Sequence, residues 1–133
     1  MSLIAFTLLS WLPLPFLGVG NGIFREAVLK PRWGESVARP MSGITLIILI
    51  ALYVLVLRRF RTVPSSDALV IGLTWVGLTI AFEFLFGYFV AKHTMAQLLA
   101  NYDITTGNLW LVVVVWAGVA PYLLLRTDSN SHP

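Results

Sequence analysis

The sequence predicts an all-α fold, a membrane four-helix bundle with a kinked first helix and short interfacial amphipathic segments. Two observations support this prediction. Hydrophobic residues make up 58% of the 133 residues and charged residues only 11%, and the mean hydropathy of +0.85 is far above that of soluble globular domains. The apolar residues also fall into four runs separated by polar links. Helices are the structures through which such runs can satisfy their backbone polar groups in a bilayer.

The first apolar run covers residues 3–23 and contains Pro13 and Pro15. Because proline removes a helical hydrogen bond, we expect a kinked membrane helix here. The run has no positively charged leader of the kind that signal peptides carry, so we expect it to remain in the mature protein. The helix should continue into the following link and end at Lys30-Pro31, since proline disfavours helix in the residue before it.

The second and third runs are the clearest. The second, residues 41–57, ends at a cluster of three arginines, whose charges belong at the lipid headgroups. The third, residues 68–91, contains a single charge, Glu83. At a rise of about 1.5 Å per residue it is long enough to cross about 30 Å of hydrocarbon. Ser65 or Ser66 is expected to cap its first turn.

The fourth run, residues 109–125, completes the four predicted spans. Trp110 lies near one end of it, and Tyr122 and Arg126 lie near the other. Aromatic and basic residues at these positions are typical of the belts where a helix meets the headgroups. The four spans are predicted to form one domain, residues 1–126.

Two polar segments complete the predicted organisation. In the link before the fourth span, Met95, Leu98 and Leu99 fall at helical spacing and predict a short amphipathic helix on the membrane surface. The last residues, 127–133, are polar and are predicted to form a disordered C-terminal tail.

Glu83 is the ionisable residue that most needs a physical explanation. By helical rise it lies about 5 Å from the bilayer centre. A carboxylate at that depth is costly unless it is paired, hydrated or protonated. Glu83 also lies on a helical stripe of small and polar residues, which we expect to face the other helices. The stripe comprises Gly72, Val76, Thr79, Glu83 and Gly87.

The predicted partner of Glu83 is Arg25. Asn21 and Arg25 are one turn apart on the first helix, in the same leaflet as Glu83, and a guanidinium group suits a carboxylate. We therefore predict a buried polar pair of Arg25 and Glu83 with Asn21 beside it. Tyr102 and Asp103 are further candidates for this polar cleft. The alternative, which the sequence favours, is that these two residues form a turn and an interfacial anchor.

Composition excludes several classes of function. The chain has no cysteine and two histidines, His93 and His132, of which the second lies in the polar tail. We therefore expect no metal site and no cofactor. The net charge of +3 comes from basic residues scattered around apolar runs, which argues against nucleic acid as a partner.

Two stretches, NGIFREAVLKPRWGE and EFLFGYFVAKHTMAQLLANYDITTGNLW, resemble a group of small bacterial integral-membrane proteins with four predicted helices and uncharacterised activity. The resemblance covers about a third of the chain. It implies a multi-pass protein of the bacterial inner (cytoplasmic) membrane and brings no activity, cofactor or substrate with it. Small multidrug-resistance transporters also have four helices and one membrane carboxylate. Their carboxylate lies in the first helix, whereas Glu83 lies in the third predicted helix of this chain. The comparison therefore does not imply that this chain shares their mechanism.

Three functional classes follow from these observations. The sequence favours an accessory or structural membrane component, in which Arg25 and Glu83 fix the helix register. The alternative is a small proton, ion or solute transporter or channel with Glu83 as the titrating carboxylate. The third is an enzyme acting on a lipid-linked substrate, with Glu83 or Asp103 as general base. No complete catalytic set is present, so an enzyme is the least favoured class.

The expected partners are the lipid bilayer and either further copies of the chain or another membrane protein. The orientation follows from the positive charges next to the spans. Their numbers on the two sides nearly balance, but the link RRFR directly adjoins the second span. This dense cluster favours cytoplasmic termini.

Overall fold

The computed structural model describes residues 2–100 and 109–127 and shows a helical chain. These described residues form five helices, four of them long. They are α1 (Leu3–Trp33), α2 (Glu35–Arg58), α3 (Ser65–Val90), α4 (Met95–Ala100) and α5 (Trp110–Leu125). In the described part of the chain the only strand-like feature is an isolated bridge between Val63 and Arg126. The predicted all-α class is confirmed.

The four long helices correspond to the four apolar runs. Helices α1, α2 and α3 are long and apolar enough to cross a membrane, judged by length and composition. Helix α5 is apolar but has fewer than 18 described residues. These helices suggest a membrane protein.

Helix α1 is interrupted where the prolines predict a kink. At Leu12 the α-helical hydrogen bonding changes, because its N–H donates to the carbonyl of Leu9 at 3.3 Å. Pro13 follows at the first position of the next helical segment. A proline there leaves no N–H unpaired, so the helix resumes at little cost.

The prediction that α1 ends at Lys30-Pro31 is wrong. The chain forms a π-helical turn over Arg25–Leu29, and the N–H of Lys30 donates to the carbonyl of Arg25. Pro31 then lies in the first turn of a resumed α-helical segment, where its missing N–H costs nothing. The helix continues to Trp33 and ends at Gly34, whose φ of 82° favours glycine.

The starts of α2 and α3 also differ from expectation. Helix α2 begins at Glu35 and includes Pro40, so the helix starts before the apolar run does. The carbonyl that Pro40 cannot bond belongs to Ser36, which is exposed and accessible to water. Helix α3 begins at Ser65 after Pro64, and no side chain caps it, so the predicted serine cap is wrong.

The long helices pack in a cyclic order. Helix α1 contacts α2 and α3, and α5 contacts the same two helices from the other side. Trp75 of α3 is fully buried at the centre and donates its indole N–H to the carbonyl of Thr7 at 3.2 Å. Helices α3 and α5 approach closely at Gly72, where a Cβ would overlap the carbonyl oxygen of Gly118. Small residues at such crossings let helix backbones come together.

One end of the protein is closed by hydrogen bonds between the α2–α3 link and the end of α5. Arg58 donates to the carbonyl oxygens of Leu124 and Arg126 at 3.0 and 2.8 Å. The N–H of Thr127 donates to the carbonyl of Val63 at 2.7 Å. Thr127, the first residue of the predicted tail, is therefore held by the domain. The rest of that tail lies outside the described residues.

The short helix predicted from Met95, Leu98 and Leu99 is present as α4. Thr94 and Gln97 form a reciprocal capping box at its start, with distances of 3.1 and 2.8 Å. Leu98 is buried against Gly87 of α3, whereas Met95 and Leu99 are exposed. Helix α4 therefore has one packed face and one free apolar face.

Candidate functional site

A cavity of about 460 Å³ lies between the four long helices. It occupies the half of the protein that contains the α1–α2 turn and the C-terminal end of α3. Its volume falls in the range of about 300–1,000 Å³ that is usual for small-molecule sites. We call its polar end the charged opening, which is formed by Arg25, Glu26, Lys30, Glu35 and Arg39.

The opposite end of the cavity is apolar. Leu14 of α1, Leu46 and Ile50 of α2, and Val113 and Ala117 of α5 line it and are buried. The cavity therefore passes from charged groups at the exposed end to aliphatic groups inside the helix packing. This arrangement can hold a molecule with one polar and one apolar part.

Asn21 lies between these two ends. It is 6% exposed, and its Oδ1 accepts a hydrogen bond from the Ser42 hydroxyl of α2. Its Nδ2 is buried and has no hydrogen-bond partner within the described residues. A buried donor without a partner costs about 1–3 kcal/mol, so it needs an explanation.

Arg25 contributes to the charged opening. Its Nε is 3.6 Å from Oε1 of Glu26, and Glu26 also pairs with Lys30 at 3.4 Å. The Nη2 atom of Arg25 lies beside Gly22, 3.9 Å from where a Cβ would stand. The guanidinium group therefore lies back along α1, beside Gly22.

The predicted ion pair between Arg25 and Glu83 is not formed within residues 2–100 and 109–127. Arg25 pairs with Glu26, and both Arg25 and Glu83 line the same cavity. The physical reason is solvation. The pair with Glu26 is half exposed and keeps its water, whereas a pair at the depth of Glu83 would lose it.

Glu83 faces the other helices. Its Oε2 accepts a hydrogen bond from the indole Nε1–H of Trp110 on α5. One turn earlier on the same stripe, Thr79 accepts a hydrogen bond from the indole of Trp11 on α1 at 3.1 Å. Gly72 and Gly87 approach α5 and α4 closely. The stripe predicted on α3 therefore meets three other helices.

The α1 wall of the cavity leaves open space beside its glycines. Gly18 lines the cavity, and no heavy atom lies within 4 Å of the position its Cβ would take. Gly20, on the same helix, is equally open but does not line the cavity. A Cβ at Gly18 would therefore meet no atom, so this wall has room for the start of a larger side chain.

The structure brings three of the five predicted site residues together. Asn21, Arg25 and Glu83 line one cavity. Tyr102 and Asp103 lie outside the described residues. Within those residues, no group of three or more His, Asp or Glu side chains is placed to hold a metal ion.

Sequence reasoning missed two partners of the site residues. Ser42 holds Asn21, and Trp110, which the sequence assigns to an interfacial belt, holds Glu83. Ser42 follows Gly34 of the α1–α2 turn by 8 residues, whereas Asn21 precedes it by 13, so matching helix depths by residue count would have missed Ser42. The indole of Trp110 has no sequence pattern that points to Glu83 either.

A comparison of the chain with protein-family models, with curated proteins and with solved structures found no match.

Proposed function

We propose that the chain is an integral membrane protein whose four long helices form a four-helix bundle in the bacterial inner membrane, with cytoplasmic termini. The apolar outer surface supports this proposal. Ile4, Phe16 and Leu73 are 74%, 77% and 72% exposed, and in a bilayer such side chains would contact acyl chains. The basic residues Arg58 and Arg59 at the end of α2 support the orientation.

The proposed activity is the binding and movement of a small solute, with Glu83 as the group that exchanges the coupled proton or ion. The observation that supports it is the cavity itself, which joins a carboxylate at membrane depth to the charged opening. Intramembrane ionisable residues most often mark such pathways. A polar pair that only fixes helix register would need no cavity of this size.

A second candidate is the accessory or structural role that the sequence favours. The hydrogen bond between Trp110 and Glu83 supports it, because this bond joins α3 to α5 and resists sliding of one helix along the other. In this role the chain would dock on further copies of itself or on another membrane protein. The two roles differ in one respect: transport requires an open cavity, whereas the accessory role does not.

A cavity-blocking substitution tests the proposed activity. Gly18→Leu adds a larger side chain to the cavity wall, and Gly20→Leu adds the same side chain to the same helix at a position that does not line the cavity. Purified variants are reconstituted in liposomes at matched incorporation. Proton flux is then followed with an entrapped pH dye, first without solute and then with a panel of organic acids, amines and neutral amphiphiles.

We expect at least one condition in which wild-type protein moves protons roughly tenfold faster than Gly18→Leu, a difference of about 1.4 kcal/mol in barrier height. Glu83→Gln should lose the flux under the same condition, and Gly20→Leu should retain it. Equal flux for wild type and Gly18→Leu under every condition would reject the transport proposal and favour the accessory role.

A further inference from the structure

The orientation of Asn21 indicates what kind of ligand group the cavity accepts. The Ser42 hydroxyl occupies Oδ1, so the group left without a partner within the described residues is the Nδ2 donor. The side chain is more than nine-tenths buried and lines the cavity. A buried donor with no protein partner suits a ligand that brings a hydrogen-bond acceptor.

Positive charge lies next to this donor on the same wall. Arg25 is one helical turn away on α1, and its Nη2 lies beside Gly22, which also lines the cavity. Arg39 of α2 lines the same opening, where it pairs with Glu35 at 2.9 Å, and Arg25 pairs with Glu26 through its Nε atom. The Nη2 group of Arg25 is not used in that pair. Because guanidinium groups bind carboxylate and phosphate oxygens strongly, this group favours an acceptor that carries negative charge over a neutral one.

The rest of the ligand must suit the apolar end of the cavity. Leu14, Leu46 and Ile50 offer only aliphatic surface there. An inorganic anion would leave this surface uncovered, whereas an alkyl chain would bury it. A ligand with a negatively charged acceptor at one end and an alkyl chain at the other meets both requirements, so the expected ligand is an amphiphile.

We propose that the cavity binds an anionic amphiphile, an alkyl chain ending in a carboxylate or phosphate, whose acid group is held by Asn21 and Arg25. This inference rests on the proposed function and names the class of its solute. Glu83 lies across the cavity on α3 and belongs to the proton or ion pathway. A cationic amphiphile would instead be held at Glu83. Preference for a cationic probe over an anionic one would therefore contradict the proposal.

Native mass spectrometry of the purified protein released from detergent tests the proposal. The probes share a twelve-carbon chain and differ in the head group: dodecanoate, dodecyl phosphate, dodecanol and dodecyltrimethylammonium. Dioleoyl phosphatidate is added to separate a bilayer lipid from a free amphiphile. The variants are Asn21→Leu, Asn21→Asp and Arg25→Gln, with Arg59→Gln as an exposed control that changes the net charge equally.

We expect a one-to-one complex with dodecanoate or dodecyl phosphate and weaker binding of the neutral and cationic probes. Asn21→Leu and Arg25→Gln should each weaken binding about tenfold or more, as expected for hydrogen bonds to a charged group. Asn21→Asp should weaken it further, and Arg59→Gln should leave it unchanged. Binding of the phosphatidate as well would identify a lipid headgroup as the source. If the phosphatidate does not bind, the source is a free amphiphile.

Two results would overturn the proposal. One is tighter binding of dodecyltrimethylammonium than of dodecanoate. The other is unchanged binding in both Asn21→Leu and Arg25→Gln, for which thermal unfolding shows whether each variant is folded. If Gly18→Leu blocks flux but no anionic probe binds, the inference fails and the proposed function stands. If Gly18→Leu leaves flux unchanged, the proposed function itself fails.

Discussion

Glu83 on α3 accepts a hydrogen bond from the indole of Trp110 on α5. The carboxylate therefore has a partner on α5, the helix that α3 also approaches closely where Gly72 meets Gly118. An indole N–H gives the carboxylate a hydrogen bond without adding a second charge to the interior, which avoids the desolvation of a buried cation. The bond leaves Glu83 at the cavity wall and fixes its position there.

The strength of this bond can be measured with a double-mutant cycle of Trp110→Phe and Glu83→Gln. We expect Trp110→Phe to destabilise the protein and the two losses to be non-additive by about 1.5 kcal/mol or more, because the acceptor is charged. The free energy of unfolding in detergent is the measurement. Trp33→Phe, at the exposed α1–α2 turn, is the control. Additive losses would show that the bond contributes nothing to stability.

The α3–α5 crossing predicts opposite effects for two glycines of α3. Gly72→Ala places a Cβ against the backbone oxygen of Gly118, which cannot move away as a side chain could. The loss should be about 1–3 kcal/mol, typical of overpacking. Gly77→Ala meets no atom within 4 Å and should be neutral or stabilising. The measurement is thermal unfolding of the two variants side by side. Equal melting temperatures would contradict the close approach of α3 and α5 at Gly72.

Arg58 predicts a difference between neighbouring arginines. Its Nη1 bonds two backbone carbonyls at the end of α5, whereas the Arg59 side chain is exposed. Arg58→Met keeps the length of the side chain and removes both bonds, so unfolding should become easier by about 2 kcal/mol. Arg59→Met should change stability by less than about 0.5 kcal/mol. Similar losses in the two variants would rule out a specific role for Arg58.

The end of α3 predicts a stabilising substitution. Lys92 has a φ of 60°, a conformation that glycine adopts without strain. It lets the N–H of His93 donate to the carbonyl of Gly87 at 2.7 Å, which caps the helix. Lys92→Gly should therefore raise the free energy of unfolding by about 1 kcal/mol. Lys30→Gly, inside a helix, should lower it by a similar amount. A loss in Lys92→Gly would contradict this conformation.

Much of the fold could be predicted because it depends on local composition. The sequence itself contains apolar runs long enough to form helices. It also contains the helical spacing that puts Glu83 on the same face as Gly72. Helix ends were less predictable. A proline normally ends a helix, but the π-helical turn just before Pro31 shifts the hydrogen bonding so that α1 continues.

The partners within the site could be predicted only in part. Arg25 and Glu83 line the same cavity, but Arg25 pairs with Glu26 at the exposed end, where the pair keeps its water. Which α5 residue meets Glu83 depends on the rotation and register of two helices about their axes. A sequence pattern with period 3.6 assigns a face to each helix but leaves that register open.

The hydrogen bonds of Arg58, Val63 and Thr127 lie at the opposite end of the protein from the charged opening. In the described part of the chain, the cavity lining stops at Ile50 on α2 and Ala117 on α5, short of these bonds. In the proposed transport activity, binding at the charged opening and release at the far side are therefore separate steps. Removing the Arg58 hydrogen bonds is then expected to change the rate of release and to leave the dissociation constant at the opening unaltered.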